Sequence, residues 1–533
     1  MNLTELPVLF LDLQTTGSSP LNSHILEIAW ATTDESSLQS NMPRTLQNSS
    51  ESHLVKLPEG ETVPRRIEMI TGISNADLVG ALILPTVLGK LHDALPDLKL
   101  VVIHFAQFER PFLLDAYVKC GQEMPFKILC THLIAKRLMP NLPSRGLKGL
   151  AGYFGFNAGE LKRGTSHVKA TSCIWRALTL ALAREGLHTL EELEAWLADK
   201  PKKITKKYEY PLAKEKRLAL PDQPGVYRMV SQWGEVLYVG KATSLHSRVN
   251  SYFRGQKNRD PRKLEMLTQT WDLQVTPCGS PLESAILETD EIKRLNPRYN
   301  ISLKKGLRKL VFFNREFTSF LATQDNVHTI GPFSSLQVLE SMMKLGASLT
   351  ENVFDETLFF EPVDPELLRQ GFAVFCERHD FNPYSFSSMR SVIAVGLWWQ
   401  RQRDMVEDES MLLEEIEEEL NENPEVDVSP EDIANRFERH FLRAGQAYAR
   451  AQRLTRLMNA DIDFQLANSD IRYHLVVRRG HVQSADGNLQ NAVLGKAHPW
   501  AEHSVETYDR MAVLNSELEK INSQNGKVHI NFQ

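Results

Sequence analysis

Two short strand-like segments, each with a tyrosine beside a glycine, constrain this chain more than any other feature. The first, GVYRMV, contains Gly225 and Tyr227, and the second, EVLYVG, contains Tyr238 and Gly240. A turn with Gly234 separates them, so the pattern predicts two strands joined by a turn. The tyrosines thereby take fixed places on a small sheet.

The segments after these strands predict helices that carry further polar side chains. Arg248 and Tyr252 are four residues apart, which places them on one face of a helix. Farther along, PLESAILETDEIKRLNPRYN puts Glu283 and Glu288 on a helix that continues to Lys293. Residues 218–305 are therefore predicted to form a compact α+β domain.

This stretch resembles the GIY-YIG nuclease domain, in the version found in UvrC and in the Cho-type repair endonucleases. The chain spells the half-motifs as GVY and YVG and continues through GKATSLHSRVNSYF to PRYN without a large gap. One half-motif alone would mean little, whereas both, with the lysine, arginine, tyrosine and glutamate that follow, form a specific set. The resemblance implies a domain that hydrolyses phosphodiester bonds.

The resemblance implies a role for each polar position around the attacking water. Tyr227 would lie next to that water or take its proton as general base. Tyr238 and Tyr252 would join the same hydrogen-bonded network, and Lys241 would favour ionisation of a phenol whose ordinary pKa is ~10. Asn300 would support the fold or the edge of the site.

Two further positions would manage charge. Arg248 would clamp the scissile phosphate, because a planar guanidinium offsets negative charge on its oxygens. Glu288 would hold one divalent cation, Mg²⁺ or Mn²⁺, through which the leaving oxygen is stabilised. The alternative interpretation makes the tyrosines and Arg248 ordinary strand and helix residues, and Glu283 is expected to be a solvated helix residue.

Residues 1–195 alternate short apolar runs with helical stretches, which predicts an α/β domain. FLDLQTTG, HILEIAW and LKLVVIHF read as strands, and FERPFLLDAYVKC and TSCIWRALTLALAREG read as helices. Their order and spacing resemble the DEDD-type 3′–5′ exonucleases related to the epsilon subunit of DNA polymerase III. The resemblance implies a ribonuclease-H-like mixed sheet.

That family uses two metal ions held by four carboxylates, with a histidine that positions the water. Asp12 and His167 keep their places, but Gln14 and Ser172 stand where two carboxylates belong, and Glu109 replaces the usual aspartate. Two neighbouring divalent cations need several negative ligands, so the metal site is predicted to be degenerate. We expect little or no exonuclease activity and a role in binding DNA or a partner.

Residues 201–310, which span most of the predicted linker and the predicted GIY-YIG domain, carry a surplus of positive charge. The whole chain has a net charge of −6, yet residues 201–310 hold 22 lysines and arginines against 11 aspartates and glutamates. Residues 196–217 are Lys- and Pro-rich and predict a basic linker. Such a surplus is expected for DNA phosphate contacts, and a solvated basic surface is the alternative.

Residues 306–533 are predicted to be mostly helical. RQRDMVEDESMLLEEIEEELNENP predicts an acidic helix with Leu412 and Leu420 on its apolar face, which either docks a partner or packs on its own domain. A later helix is predicted to begin at the N-cap Ser429 with Pro430 in its first position. RYHLVVRRGHVQSADGN predicts a hairpin near the end.

The cysteines and the apolar runs exclude other classes of protein. Five cysteines show no paired spacing, which favours a reducing cytoplasm over a disulfide framework or a zinc site. Cys376 stands alone after residue 300, so the cysteine cluster of many UvrC proteins has no counterpart. The start of the chain lacks a signal-peptide pattern, and no apolar run approaches the ~20 residues that span a bilayer. We expect a cytoplasmic protein without membrane association.

The predicted architecture is multidomain α/β and α+β. It comprises an exonuclease-like domain (1–195), a basic linker (196–217), a GIY-YIG domain (218–305) and a mostly helical C-terminal region (306–533). This plan is closer to Cho than to UvrC, which implies one incision on the 3′ side of a bulky DNA lesion, with UvrB and UvrA as partners. Two alternatives remain, a bifunctional enzyme with an active exonuclease and a non-catalytic DNA-binding adaptor.

Overall fold

Two compact units make up the chain in a computed structural model. The first comprises Met1–Gln223, Tyr227–Thr276 and Pro297–Tyr299, and the second comprises Pro224–Val226, Pro277–Asn296 and Asn300–Gln533. The division runs inside the stretch predicted as the GIY-YIG domain. The structure describes residues 2–32, 50–157, 159, 161–199, 207–254, 260–301, 309–334, 337–351, 353–359, 362–382, 386, 388–402, 428–467, 469–484 and 504–533.

A five-stranded mixed sheet opens the first unit. Its strands are β1 (Leu9–Thr15), β2 (Ile25–Thr32), β3 (Ser50–Leu54), β4 (Leu100–Ile103) and β5 (Lys127–Cys130). They lie in the order β3-β2-β1-β4-β5. The β1–β2 and β2–β3 pairs are antiparallel, whereas β4 runs parallel to both β1 and β5. The mixed sheet expected from the sequence is confirmed.

Helices cover both faces of this sheet, so every side chain of β1 is buried. The helices are α1 (Arg65–Thr71), α2 (Leu84–Asp93), α3 (Ala106–Lys119), α4 (Thr131–Leu138), α5 (Leu147–Tyr153), α6 (Gly164–Arg184) and α7 (Leu190–Ala198). Phe10 packs in one core with Trp175 of α6, and Leu11 packs in the other core with Leu113 of α3. Because strand side chains alternate between faces, Asp12 and Gln14 follow Phe10 on the α6 side.

A three-stranded sheet with order β7-β6-β8 follows. Its elements are α8 (Lys214–Leu218), β6 (Gly225–Val230), β7 (Val236–Ala242), α9 (Leu245–Ser251), α10 (Pro261–Gln269) and β8 (Asp272–Pro277). The two predicted strands and the helix with Arg248 are present. The described part of the predicted linker is folded, since α8 packs against α9 and Lys216 pairs with Asp272.

A seam of three glycines joins the exonuclease-like fold to the three-stranded sheet within the first unit. A Cβ atom on Gly152 would lie 2.0 Å from Gln269 Oε1, and one on Gly155 would lie 2.5 Å from Trp233 Nε1. A Cβ atom on Gly149, the third glycine, would lie 3.4 Å from Glu265 Cγ. At Gly152 the missing side chain is what permits the close approach of α5 to Gln269 of α10.

Polar and aromatic contacts reinforce this glycine seam. The backbone N–H of Ser144 donates to Thr268 Oγ1 at 2.9 Å, and the rings of Tyr153 and Trp271 lie 5.5 Å apart. The two folds are therefore held by packing as well as by the covalent connection.

Helix α11 (Pro281–Leu295) and the C-terminal region form the second unit. The strands are β9 (Val311–Asn314), β10 (Phe320–Leu321), β11 (His328–Phe333), β12 (Ala460–Gln465), β13 (Arg472–Arg478), β14 (His481–Ser484) and β15 (Lys527–Phe532). The helices are α12 (Gln337–Glu351), α13 (Pro365–Arg378), α14 (Met389–Gln402), α15 (Pro430–Leu457) and α16 (Val505–Ser523). The region is mostly helical as predicted, and it adds sheets of order β10-β9-β11 and β14-β13-β12-β15.

The helices of this unit pack around phenylalanines and around one close crossing. Phe375 of α13 and Phe441 of α15 stack with their ring centroids 4.9 Å apart. A Cβ atom on Gly396 would lie 2.1 Å from the carbonyl oxygen of Phe441, so α14 and α15 touch through their backbones. Gly445 faces Gly396 across this crossing.

Local signals near the C-terminus predicted their elements correctly. Ser429 caps α15 by accepting the Asp432 backbone N–H, with Pro430 in the first turn. Strands β13 and β14 form the predicted hairpin. The predicted acidic helix with Leu412, Leu413, Ile416 and Leu420 lies outside the described residues. Among the helices that the structure describes, none is long and apolar enough to span a membrane.

Substitution of Gly152 tests the seam. We expect Gly152→Ala to lower the free energy of unfolding by about 1–3 kcal/mol through overpacking. Gln269 cannot retreat without loss, because its Nε2 donates to the Tyr299 hydroxyl at 2.6 Å and to the Glu265 carbonyl at 3.1 Å. Chemical denaturation measures the change.

The matched control is Gly89→Ala on α2, where an added Cβ meets nothing within 4 Å. This substitution should leave stability unchanged or raise it by up to about 1 kcal/mol. A Gly152→Ala protein as stable as the control would show that the seam is loose.

Candidate active site

Three tyrosines form a cluster on the small sheet and the helix beside it. Tyr227 of β6 is fully buried, and its hydroxyl lies 2.9 Å from the Tyr252 hydroxyl. The ring centroid of Tyr238 lies 6.1 Å from that of Tyr227 and 6.4 Å from that of Tyr252. The structure thus brings together the three tyrosines that the sequence predicted as one network.

Gly240 explains why the second strand motif ends in glycine. A Cβ atom there would lie 2.4 Å from the Tyr227 hydroxyl oxygen and 2.8 Å from Cε1 of Tyr238. Both atoms belong to stiff rings within a packed sheet, so a side chain could be accommodated only by moving the tyrosines. Glycine at this position therefore leaves room for the hydroxyl group of the buried Tyr227 side chain.

Arg248 supplies the positive charge of the cluster. Its guanidinium carbon lies 5.5 Å from the centre of the Tyr252 ring, and its side chain is exposed at the end of α9. Burial, and then proximity to Tyr252 and Tyr238, raises the pKa of Tyr227 well above its ordinary value, against the lowering effect of Arg248. Tyr227 is therefore a neutral phenol at physiological pH.

Helix α8, which precedes the small sheet, holds α9 through Arg217. The sequence had predicted no individual role for this arginine. Arg217 donates to Asn250 Oδ1 at 2.5 Å, and Asn250 Nδ2 donates back to the Arg217 carbonyl at 2.9 Å. The Arg217 guanidinium also lies over the Phe253 ring at 4.8 Å. The sequence signal for this contact was the position of Asn250 between Arg248 and Tyr252. In the structure Asn250 is 1% exposed.

The remaining predicted residues of this domain occupy separate places. Lys241 is half-buried in β7 of the first unit, whereas Glu288 is half-buried on α11 of the second unit. Asn300 is buried in the second unit. The expectation that Glu283 is a solvated helix residue was wrong, because Glu283 is 5% exposed and accepts the Gly279 backbone N–H at 3.0 Å.

In the N-terminal candidate site, the predicted site residues hydrogen-bond to one another. Gln14 Nε2 donates to Asp12 Oδ2 at 2.7 Å, and His167 Nδ1 lies 3.0 Å from Asp12 Oδ1. The other ring nitrogen of His167 lies 3.1 Å from the Leu161 carbonyl oxygen. The amide that replaces a carboxylate thus occupies the oxygen of Asp12 that a metal would need.

Electrostatics favour this arrangement. Burial alone would lower the pKa of His167, but its hydrogen bond to Asp12, the negative charge there and the Leu161 carbonyl raise it overall. A protonated imidazole can donate to both partners, which favours an ion pair with Asp12. Burial acts against this pair, because it raises the pKa of Asp12 despite the hydrogen bond and charge of His167.

Glu109, another member of the predicted ligand set, is buried. It is 4% exposed, and within the described chain its Oε2 atom has no hydrogen-bond partner. Burial, and then the charge of Asp12, raises the pKa of Glu109 well above its ordinary value. The side chain is therefore held as a neutral acid.

Ser172 contributes nothing that could replace the fourth carboxylate. Its hydroxyl donates to the Lys169 carbonyl of its own helix at 2.8 Å. Among the residues that the structure describes, no group of three or more His, Cys, Asp and Glu could hold a metal ion. The donor set does not fit a two-metal centre.

An ion pair between buried Glu27 and partly exposed Arg163 lies near Asp12 and was missed at the sequence level. Glu27 of β2 is 1% exposed and accepts from Arg163 Nε and Nη2, at 3.1 and 2.9 Å, and from the Gly164 backbone N–H at 2.9 Å. Glu27 pairs in register with Gln14 across β1 and β2. This pair anchors the start of α6, the helix that carries His167.

Glu109→Gln tests the neutral state of Glu109. In the unfolded chain a glutamate ionises near pH ~4.3, whereas the raised pKa keeps the folded side chain protonated at higher pH. The unfolded state then binds fewer protons, so the wild type loses stability as pH rises above ~4.3. The variant, which cannot ionise, should be more stable at pH 8 by on the order of 1 kcal/mol, and the difference should shrink towards pH 4.

Denaturant titrations at both pH values measure this difference. The exposed control Glu59→Gln should match the wild type at each pH. Equal pH dependence in the wild type and Glu109→Gln would show that Glu109 is ionised when folded.

Comparison with known proteins identifies both folds. Residues 9–160 match the family model described as Exonuclease, and residues 223–301 match the one described as the UvrC-like GIY-YIG domain. The predicted recognition of the two domains is thereby confirmed.

Relatives carry these domains in longer chains. A Mycobacterium tuberculosis protein named as a bifunctional exonuclease/endonuclease is 31% identical over 247 residues, which are 45% of this chain and 36% of that protein. The UvrABC system protein C of Pelodictyon phaeoclathratiforme is 38% identical over 141 residues, which are 25% of this chain and 22% of that protein. The matched part is well under half the length of either relative.

Among solved structures, the magnesium-bound GIY-YIG domain of UvrC from Thermotoga maritima is 30% identical. It covers 16% of this chain and 94% of its own, with a TM-score of 0.15. The chain therefore carries an exonuclease-family domain followed by a UvrC-like GIY-YIG domain.

Proposed function

We propose that this protein is a metal-dependent deoxyribonuclease that nicks one DNA strand with its GIY-YIG domain. The observation that carries this proposal is the cluster of Tyr227, Tyr252 and Arg248, which sets a buried neutral phenol beside an exposed guanidinium. Such a pair can hold a water molecule and a phosphate next to each other, which is the main requirement of phosphodiester hydrolysis.

In this mechanism Tyr227 positions the attacking water as a neutral phenol. The raised pKa of Tyr227 makes loss of its own proton costly, so water positioning is favoured over the general-base role. Tyr252 fixes the direction of the Tyr227 hydroxyl through their hydrogen bond. Tyr238 packs against both rings, and Arg248 binds the scissile phosphate and offsets the charge that builds on its oxygens.

Glu288 is the proposed ligand for Mg²⁺ or Mn²⁺. A single carboxylate suits Mg²⁺, which keeps several water ligands and takes one or two protein carboxylates. The cation would act as a Lewis acid for the leaving 3′ oxygen. Lys241, half-buried in β7, would add positive charge near the phosphate.

The biological setting follows from the likeness to UvrC and remains part of the proposal. The incision would fall on the 3′ side of a bulky lesion in a nucleotide-excision type of repair, with UvrB and UvrA as partners and the cytoplasm as location. The local surplus of basic residues between 201 and 310 supports contact with the DNA backbone.

The exonuclease-like domain is proposed to bind DNA or a partner without cutting. Asp12 is engaged by Gln14 and His167, and Glu109 is a buried neutral acid, so two cations would meet almost no negative charge. This disfavours a bifunctional enzyme with two active centres.

Loss of the Tyr227 hydroxyl or of the Glu288 charge tests the endonuclease. On supercoiled or lesion-bearing duplex with Mg²⁺ or Mn²⁺, Tyr227→Phe and Glu288→Gln should each lower the nicking rate by ~100-fold or more. Tyr448→Phe, which removes a hydroxyl from α15, should nick like the wild type.

Addition or omission of UvrA and UvrB tests the repair setting. A lesion-independent rate with all proteins present would reject that setting. Unchanged nicking in Tyr227→Phe would reject the site, and absence of nicking in the wild type would favour the adaptor alternative.

Single-stranded DNA tests the N-terminal domain in a Tyr227→Phe background. With Mn²⁺ we expect no shortening from the 3′ end, because the metal ligands are neutral or engaged. Adding Gln14→Glu and Ser172→Asp should restore measurable shortening, since both substitutions return a carboxylate.

Asp12→Ala should abolish any restored activity. Shortening by the Tyr227→Phe protein that Asp12→Ala removes would show instead that the native site is active.

A further inference from the structure

Helix α11 carries the proposed metal ligand Glu288, and one face of this helix is packed against the C-terminal helix α16. Leu282 and Ile286, each 1% exposed, share a core with Met511, Leu514 and Leu518 of α16. These partners lie beyond residue 301, where the match to the UvrC-like GIY-YIG domain ends. The core around this helix is thus completed by residues outside the match to that domain.

Two ion pairs continue this contact. Lys293 Nζ lies 2.5 Å from Asp509 Oδ2, and the two side chains are 4% and 2% exposed. Arg510 donates through Nε to both oxygens of Asp290, at 2.9 and 3.1 Å, and its Nη2 lies 2.8 Å from Oδ1. Buried charges are costly to separate once paired, so these contacts hold the two helices in one register.

Arg510 is itself fixed from a second side. Its Nη1 donates to the Gly480 carbonyl at 2.9 Å, in the turn between β13 and β14. The Arg510 side chain is only 11% exposed. The four-stranded sheet therefore braces the arginine that holds Asp290.

The paired residues form a single stripe along α11. Positions 282, 286, 290 and 293 follow one another by four, four and three residues, which is the spacing of one helix face. At 3.6 residues per turn, Glu288 lies about 160–200° from Ile286 and Asp290 around the axis. Fixing the stripe therefore fixes the direction in which the Glu288 carboxylate projects.

We propose that Asp509 and Arg510 are positioning residues for Glu288, and that residues 306–533 are an integral part of the endonuclease. The proposal rests on the proposed function of Glu288. Helix α16 sets the rotation of α11 about its axis and its position along that axis. Loss of either ion pair would let α11 shift and so displace the Glu288 carboxylate. Outer contacts of this kind commonly change metal affinity or activity by about 10- to 100-fold.

Arg510→Gln in the full chain is the first test. We expect the Mn²⁺ concentration for half-maximal nicking to rise about tenfold and kcat to fall, with KM for DNA unchanged within about twofold. Direct titration of Mn²⁺ by electron paramagnetic resonance, without DNA, should show the same weakening.

The matched control is Arg453→Gln. Arg453 donates to Asn515 and lies 3.9 Å from Glu519, so it contacts the same helix α16 from α15 rather than from α11. Its loss should leave the metal dependence and kcat at wild-type values. An equal effect of both variants would mean general loosening of α16 and would overturn the proposal.

Asp509→Asn is a second variant that keeps nearly the same side-chain volume, in case Arg510→Gln does not fold. It should show the same rise in the Mn²⁺ requirement, and joint replacement of Lys293 and Asp509 by Met and Leu should recover most of the loss by restoring packing. Folded Arg510→Gln and Asp509→Asn proteins with wild-type metal dependence would overturn the proposal. That outcome differs from failure of the proposed function, in which nicking would be absent from the wild type or unaffected by Tyr227→Phe.

Discussion

Pairing of buried charge is the interaction on which most of this molecule depends. A carboxylate or ammonium group taken out of water needs a partner, because an uncompensated buried charge costs several kcal/mol. Glu27 meets this requirement through Arg163, and Lys293 meets it through Asp509. Both pairs hold a helix that carries a residue of a candidate site, so the folding constraint and the placement of the sites have the same origin.

The same constraint distinguishes the surroundings of the two candidate sites. In the exonuclease fold, Gln14 and His167 hydrogen-bond to Asp12, and burial raises the pKa of Glu109 well above its ordinary value. In the GIY-YIG domain, the buried group is the neutral phenol of Tyr227, whose burial requires only a hydrogen bond. The guanidinium of Arg248, proposed to bind the phosphate, remains exposed beside this phenol.

Within each unit, packing contacts join elements that are far apart in the sequence. The glycine seam at Gly152 couples the exonuclease-like fold to α10, and the stripe on α11 couples this helix to α16. The part of the linker that is described is folded as α8 and holds α9 through Arg217 and Asn250.

Elements set by nearby residues were determined by the sequence alone. Alternating apolar runs identified β1 and β6, and Ser429 identified the start of α15. The residue types at Gln14 and Ser172 predicted a degenerate metal site, which stays a prediction. Periodicity shows which face of a helix is apolar, but it does not show which other helix or strand will pack against that face. Only the tertiary structure decided that α11 packs on α16, because Asp290 and its partner on α16 are 220 residues apart in the chain. The same reason explains why Glu283 is buried rather than solvated, since its burial depends on contacts that no local pattern records.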